Sequence, residues 1–170
     1  MVRFCATIGR DQCVKSAMPT AEQIQRVLER APVARLATLA ADGPPNVVPI
    51  VFVMLEHAIW SPVDGKPKRS TELKRLGNLR RDPRCALLID RYEDDWRQLW
   101  WLRLDCEAIV HRPSPDDPLV ARLERALRSK YPQYGRDLAP LRAPVCAFEL
   151  RVLKTTSWAA DASIWSRPFD

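Results

Sequence analysis

Apolar residues recur three or four positions apart in three segments of the chain, the spacing of an amphipathic helix. The first segment follows Thr20, a favoured N-cap residue, and the second follows Ser70, which can cap a helix in the same way. Asp82-Pro83 ends the second segment, because the residue before a proline avoids helical backbone angles. The longest helix is predicted over Pro115 to Lys130, with acidic residues near its N-terminus. The stripes that carry these predictions are Ile24, Val27 and Leu28, then Leu73, Leu76 and Leu79, and finally Leu119, Leu123 and Leu127.

The segments between these helices are rich in β-branched and aromatic residues. "VARLATL" and "NVVPIVFVM" flank a turn that contains Gly and Pro, which is the pattern of a β-hairpin, and Glu56-His57 predicts a tight reversal into "AIWS". Three later runs predict further strands, the second of them long or interrupted by a bulge: "RCALLIDRY", "WRQLWWLRLDCEAIVH" and "PVCAFELRVLKTTSW". Pro49 cannot donate a ladder hydrogen bond, so its strand is predicted to lie at a sheet edge or to carry a bulge.

Strands joined by hairpins, with helices at a few places instead of in regular alternation, indicate an α+β domain on a mostly antiparallel sheet or barrel. At 170 residues and 46% hydrophobic residues, the chain suits one sizeable core. We therefore predict a single domain over residues 18–170. Residues 1–17 show neither helical nor alternating hydrophobic periodicity and are interpreted as an N-terminal extension. It is either a loose tail or a stretch translated from an upstream start codon, with Met18 as the native first residue.

Composition narrows the setting in which the protein works. No apolar run approaches the ~20 residues of a membrane span, and the N-terminus lacks the apolar run of ~7–15 residues of a signal peptide, so we expect a cytoplasmic protein that does not bind membranes. The five cysteines include no C-x-x-C pair, and Cys85, Cys106 and Cys146 lie in apolar runs where a thiol is usually buried. We expect no disulfides. The net charge of +6 suits nucleic acid or an anionic small molecule equally well.

Residues with obvious chemistry are scarce. The sequence has no Ser-His-Asp spacing, no cluster of metal ligands, no Walker loop and no G-x-G-x-x-G. His57 is predicted in a hairpin turn and His111 at a strand end, where a lone histidine is more often solvated than catalytic. This scarcity fits a redox enzyme whose cofactor carries the chemistry while the protein positions it.

Four segments together resemble the pyridoxamine-phosphate-oxidase-like split β-barrel proteins, and within them the branch of oxidoreductases that use coenzyme F420, an 8-hydroxy-5-deazaflavin. The segments are "ARLATLAADGPPNVVPIVFV", "IWSPVDGKPKRSTELKRLGNLRRDPRCALLIDRY", "DDWRQLWWLRLDCEAIV" and "APVCAFELRVLKTTSW". The resemblance covers about Pro19 to Trp158, and its most specific part is "KPKR" followed by "NLRRDPR". It implies a split β-barrel and a homodimer with two cofactor sites at the subunit interface, the cofactor ring lying over the second strand.

The basic segment between a strand and a helix gains a role from this resemblance. A phosphate-bearing cofactor tail needs cations and free backbone N–H groups, which a Gly-containing basic loop before a helix supplies together. An ordinary solvated basic loop is the alternative, since runs of surface charge are common. The predicted phosphate-binding residues are Lys66, Lys68, Arg69, Ser70 and Thr71.

The resemblance also implies contacts to the ring. Backbone groups of the second strand can hydrogen-bond the ring's pyrimidine edge while Val48 or Ile50 packs against it; plain sheet core is the alternative for each residue. Trp96, after the "DDW" turn, is implied to reach the partner subunit's cofactor, and Trp158 to shape the substrate end of the pocket. The residues of this predicted ring site are Val48, Pro49, Ile50, Trp60, Ser61 and Trp96. Burial in the protein is as good an interpretation for Trp100 and Trp101.

The predicted function is hydride transfer between coenzyme F420 and a small, conjugated acceptor. Three alternatives stay open at this point. The same fold can bind FMN as an oxidase or flavin reductase, because FMN also presents a ribityl phosphate to the basic loop. The chain can be a non-catalytic carrier of F420. A nucleic-acid-binding barrel is the weakest alternative and is not expected, because the Trp-rich strands also carry an alternating core pattern.

Overall fold

A seven-stranded antiparallel sheet forms the frame of the protein, and helices pack against it. The computed structural model describes residues 18–41, 43–63, 73–135, 138–141 and 143–166. The strands are β1 (Ala34–Thr38), β2 (Asn46–Ile50), β3 (Val53–Leu55), β4 (Ala58–Pro62), β5 (Arg84–Arg91), β6 (Trp100–His111) and β7 (Ala147–Ala159). The α-helices are α1 (Ala21–Arg30), α2 (Lys74–Arg81) and α3 (Pro118–Lys130). The structure confirms the predicted α+β class with a curled, split-barrel sheet.

Hairpins join three of the six neighbouring pairs of described strands, and the strand order is β2-β1-β5-β6-β7-β4-β3. β1 and β2 form the predicted hairpin, and β2 lies at one edge, which confirms the prediction made from Pro49. The longest pairing joins β6 to β7 and shifts register between Asp105 and Cys106. Val152 pairs with Cys106 and Lys154 with Asp105, so Leu153 is the extra residue of a β-bulge.

Two apolar clusters fill the two sides of the sheet. The main core lies inside the curled sheet and includes Leu36, Leu87 and Phe148. The second cluster lies between α3 and the β3–β4 hairpin and includes Trp60 and Ala147. Phe148 and the adjacent Ala147 therefore point to opposite sides of β7, as alternation along a strand requires. Because α3 covers only the β3–β4 side, the outer side of β1, β5 and β6 is left without a helix from the described part of the chain.

Helix boundaries depart from the prediction at two places. Thr20 caps α1 in a capping box with Gln23, as the sequence predicts. The second helix begins at Lys74 with Leu73 at its N-cap, so the prediction of Ser70 as its cap is wrong. The longest helix begins at Pro118 because the Asp117 carboxylate accepts the Leu119 N–H at 2.8 Å. It starts three residues later than predicted.

Two predicted strands are also shorter than the patterns indicate. The run "NVVPIVFVM" divides into β2 and β3 at Val51-Phe52, and Trp96–Gln98 forms a single 3-10 turn before β6. The Asp95 carboxylate fixes that turn by accepting the Arg97 N–H at 3.1 Å. Cys85, Cys106 and Cys146 are buried and free, as expected of core thiols. No helix in the described ranges is long and apolar enough to cross a membrane.

Candidate functional site

Two segments that the family resemblance predicts to bind one cofactor ring meet where β2 ends. The Ser61 hydroxyl donates a hydrogen bond of 2.8 Å to the carbonyl of Val51, which directly follows Ile50. Ser61 is 1% exposed, so its hydroxyl relies on this partner in place of water. We call the junction of residues 48–51 with residues 60–63 the β2–β4 corner. The structure thereby places Ser61 against the residue that directly follows the predicted segment Val48–Ile50.

The side chains of β2 alternate between the two sides of the sheet. Ile50 lies in the main core and Val48 packs against it half-buried, whereas Val47 and Pro49 point outward and are exposed. The burial of Ile50 agrees with the alternative that this residue is ordinary sheet core. Contact of Val48 or Ile50 with a cofactor ring stays a prediction. Among the described strands β2 pairs with β1 alone, so backbone groups along its other edge face away from the sheet. Such groups are what a planar heterocycle with its own donors and acceptors needs.

The predicted phosphate-binding segment lies outside the described residues. This applies to all five members of the set, Lys66, Lys68, Arg69, Ser70 and Thr71. The residues on either side are placed: the Val63 N–H donates to the Cys146 carbonyl at 2.9 Å, and Leu73 packs against the main core. The chain therefore enters the basic segment directly from the β2–β4 corner and leaves it at the start of α2.

A charged cluster next to Trp60 was not expected from the sequence. The rings of Trp60 and His111 lie 4.8 Å apart at 43°, and His111 Nε2 lies 3.0 Å from Glu149 Oε2. Arg151 Nε donates to the other oxygen of Glu149 at 2.8 Å. Burial alone would raise the pKa of Glu149, but the hydrogen bonds from Arg151 and His111 outweigh it and hold the pKa below its usual range. The interpretation of His111 as a solvated residue is wrong, because this histidine is half-buried and paired.

A charged residue inside an apolar run is the signal that sequence reasoning missed here. Glu149 interrupts the buried run "AFEL" of β7, and a carboxylate at such a position requires a partner. His111 comes from β6, two residues beyond Ile109, which pairs directly with Glu149. Arg151 is the next residue of β7 that points to the same side as Glu149. His57, by contrast, lies in the predicted turn between β3 and β4.

The outer side of β1, β5, β6 and the end of β7 forms a broad surface that we call the open face. Its residues are Arg35, Ala37, Ala86, Leu88, Asp90, Trp101, Arg103, Asp105, Thr156 and Trp158, which share one side of the sheet by register. Arg35 of β1 forms an ion pair with Asp90 of the neighbouring strand β5, and within β6 Arg103 Nε lies 3.1 Å from Asp105 Oδ1. These ion pairs flank the half-buried Leu88, so the surface combines apolar area with fixed charges.

Tryptophans border this surface. Trp101 and Trp158 are direct cross-strand neighbours, Trp158 being 39% exposed. Trp96 is 78% exposed on its 3-10 turn, and its contact with a partner's cofactor stays a prediction. Trp100 points to the other side and is buried in the main core, where its ring meets Trp165 at 5.6 Å. Burial is therefore the correct interpretation for Trp100, while Trp101 belongs to the outward set.

An apolar groove of about 460 Å³ opens at one end of the open face. It includes Leu39, Pro45 and the bulge residue Leu153 among its lining, with Cys85 and Cys106 also in its wall. Burial raises the pKa of each of these two thiols to about 12. Both cysteines are therefore protonated at neutral pH and are poor nucleophiles.

Comparison with known proteins agrees with this architecture. The family model described as pyridoxamine 5'-phosphate oxidase matches residues 20–159. No curated protein sequence matches the chain significantly. A conserved hypothetical protein of Mycobacterium tuberculosis has a similar structure, with a TM-score of 0.67 at 17% identity over 91% of this chain and 92% of the other.

Two further similar structures carry descriptive names. HutZ, the haem storage protein of Vibrio cholerae, aligns with a TM-score of 0.62 at 16% identity over 84% of this chain and 95% of that chain. A FAD-binding protein of Mesorhizobium loti aligns with a TM-score of 0.58 at 19% identity over 81% and 91% of the two chains. Identities this low establish a shared fold alone.

Proposed function

This chain belongs to the pyridoxamine 5'-phosphate oxidase family, and on that premise we propose that it is a coenzyme F420-dependent oxidoreductase. The proposed reaction is hydride transfer between the deazaflavin and a small, conjugated organic acceptor. The observation that carries the proposal is the hydrogen bond from Ser61 to the Val51 carbonyl. This bond assembles the edge strand, Trp60 and the entry to the basic segment at one corner, and the sequence resemblance assigns these parts to one cofactor.

The residues of the β2–β4 corner fit a flat, polar-edged ring attached to an anionic tail. The free edge of β2 offers backbone donors and acceptors, and the outward Pro49 offers apolar area beside them. Lys66 and Lys68 are the proposed ligands of the tail phosphate, and Ser70 and Thr71 add hydroxyl and amide donors. A deazaflavin, when bound, supplies two-electron hydride transfer, because a carbon replaces the reactive flavin nitrogen.

A second copy of the chain is part of the proposal. The open face presents exposed tryptophan beside the half-buried Leu88, and no helix of the described residues covers it. Aromatic and apolar area of this kind is more typical of a protein interface than of a solvated surface. In the proposed homodimer, two open faces pack together and Trp96 reaches the partner's cofactor. Trp158, at the end of the same face, lines the substrate side of the pocket.

Titration of the apo-protein tests the cofactor and the basic segment together. Intrinsic Trp fluorescence is followed while F420 is added to wild type, Lys68→Ala and the charge-matched control Arg125→Ala, whose side chain is exposed on α3. We expect Lys68→Ala to weaken binding by roughly tenfold or more, about 1.4 kcal/mol, through loss of a charge-assisted phosphate contact. Equal affinities for all three proteins would count against the assignment of the segment.

Turnover is tested separately from binding. Protein saturated with reduced F420 is offered enones, quinones and nitroaromatics, and oxidation of the cofactor is followed against buffer. Acceptor-dependent oxidation supports the reductase. Tight binding with no acceleration for any acceptor would favour the non-catalytic carrier instead.

FMN is retained as the alternative cofactor for a specific reason. The contacts that bind a ribityl phosphate are common to F420 and FMN, so the basic segment does not distinguish them. Structural neighbours named for FAD binding and for haem storage widen the panel that the titration includes. Preference for FMN would keep the site and change the enzyme to a flavin-dependent oxidase or flavin reductase, and preference for haemin would overturn the redox assignment.

A further inference from the structure

A second open cavity, of about 580 Å³, lies between α1, β3 and α3. Its lining includes Glu29 and Arg30 from α1, Met54 from β3, and Ser129 and Lys130 from α3. None of these residues belongs to the β2–β4 corner or to the open face. The cavity therefore requires an explanation separate from the proposed oxidoreductase.

Lys130 occupies an unusual position in this cavity. Its Nζ donates a hydrogen bond of 2.7 Å to the Leu28 carbonyl in the last turn of α1 and lies 3.7 Å from the centre of the Phe52 ring. No carboxylate in the described ranges lies within ion-pair distance of it, although Glu29 acts on it from a longer range. Burial lowers the pKa of this amine to about 8. A large part of Lys130 is thus uncharged at mildly alkaline pH.

We propose that Lys130 is a site of N-acylation by small acyl thioesters, which reach its amine through this cavity. A neutral, desolvated lysine amine is a nucleophile, whereas an exposed lysine is almost wholly protonated at the same pH. The product also suits the site, because an amide carries no charge for burial to penalise. Its N–H can still donate to the Leu28 carbonyl, and the cavity has room for the acyl chain.

The chemical step is a simple acyl transfer. Nζ attacks the carbonyl carbon of the thioester, a C–N bond forms, and the C–S bond breaks with its electron pair leaving on sulfur. The amine loses one proton to water, and the departing thiolate takes up one proton from water. The products are one amide on Lys130 and one free thiol, and no oxidant or reductant takes part.

The test uses the full chain in its native state and S-acetyl-N-acetylcysteamine as the thioester. Initial acetylation rates at Lys130 and at the exposed Lys74 are measured in the same sample by peptide mass spectrometry from pH 6.5 to pH 10. At pH 8 we expect Lys130 to react at least about tenfold faster than the exposed Lys74, since burial lowers the pKa of the Lys130 amine to about 8 and an ordinary solvated lysine is almost wholly protonated there. The Lys130 rate should level off above pH 8, where its amine is largely neutral. Equal rates at pH 8, or a Lys130 rate that keeps rising up to pH 10, would overturn the proposal.

Two variants test whether the cavity is the route. Ser129 lies on its lining and is exposed, so Ser129→Trp narrows the opening without touching the core. Arg125→Trp places the same ring one turn earlier on α3, outside the lining. We expect Ser129→Trp to slow acetylation of Lys130 at least fivefold, with no change at Lys74, and Arg125→Trp to leave both rates unchanged. An unaltered Lys130 rate in Ser129→Trp would count against the proposal.

Discussion

The hydroxyl of Tyr131 binds both backbone groups of Phe52, accepting from its N–H at 2.9 Å and donating to its carbonyl at 2.8 Å. Tyr131 is the C-cap of α3, and Phe52 lies between β2 and β3. Both residues are almost fully buried. One side chain therefore fixes the bend that separates β2 from β3 and, through the adjacent Val51, the geometry of the β2–β4 corner.

Removal of this hydroxyl should be costly. Tyr131→Phe leaves the Phe52 N–H and carbonyl buried without a partner, at about 1–3 kcal/mol each, so we expect the free energy of unfolding to fall by about 2–6 kcal/mol. Urea unfolding measures the change. Tyr92→Phe is the matched control, since Tyr92 is 71% exposed and should lose almost nothing. A loss as small as that of the control would show that the bend is held by other contacts.

A buried polar pair makes a second, local prediction. Asn78 of α2 donates to the Thr38 hydroxyl at 3.0 Å, and the two residues are 8% and 1% exposed. Thr38→Val strands the amide and should cost about 1–3 kcal/mol, whereas the double variant Thr38→Val/Asn78→Leu removes both polar groups and should regain part of the loss. A double-mutant cycle should give a coupling of about 0.5–3 kcal/mol. Strict additivity of the two losses would refute a direct interaction.

Local patterns were enough to predict most of the fold. Thr20 and Gln23 form a capping box because both partners lie within one helical turn, and Pro49 marks an edge strand because the missing N–H is a property of the residue itself. The start of α3 was harder to predict, since residues 113–118 contain three prolines and two aspartates. Asp117 prevails because its carboxylate reaches the Leu119 N–H.

Long-range partners account for what the sequence did not predict. Phe52 and Tyr131 are 79 positions apart, so nothing near "IVFVM" indicates that the strand divides there. Glu149 likewise meets His111, 38 positions away, only after β6 and β7 have paired. The candidate site follows the same rule: its members were recognised by resemblance, but their meeting through Ser61 and Val51 depends on tertiary structure.

The buried amine of Lys130 predicts a specific pH dependence of stability. Its pKa falls from 10.5 to about 8 on folding, so between these pH values the unfolded chain binds more protons than the folded chain. Stability contributed by Lys130 therefore rises from about pH 8 to about pH 10.5 and is absent below that window.

The variant Lys130→Met isolates this effect. Above pH 9 the raised pKa values of Cys85, Cys106 and Tyr131 lower stability in wild type and variant alike, so the difference between the two proteins reports Lys130. From pH 7 to pH 10 we expect wild type to gain about 2 kcal/mol relative to the variant, allowing for partial exposure of the amine. Urea unfolding at each pH gives the values, and curves that stay parallel would contradict a depressed pKa.

The centre of the open face gives the test of the proposed homodimer. Leu88 is half-buried and lies in register between Arg35 on β1 and Arg103 on β5's other neighbour, β6. Leu88→Lys places a lysine between Arg35 and Arg103. In a dimer formed through this face, the added positive charges of both copies lose their water together, which opposes association. We expect the dimer dissociation constant in sedimentation velocity to rise at least tenfold, about 1.4 kcal/mol. Ala121→Lys, on the exposed side of α3, adds the same charge elsewhere and should leave the dimer intact. If Leu88→Lys dimerises as tightly as Ala121→Lys, the subunits meet through another surface and Trp96 does not reach a partner's cofactor across this one.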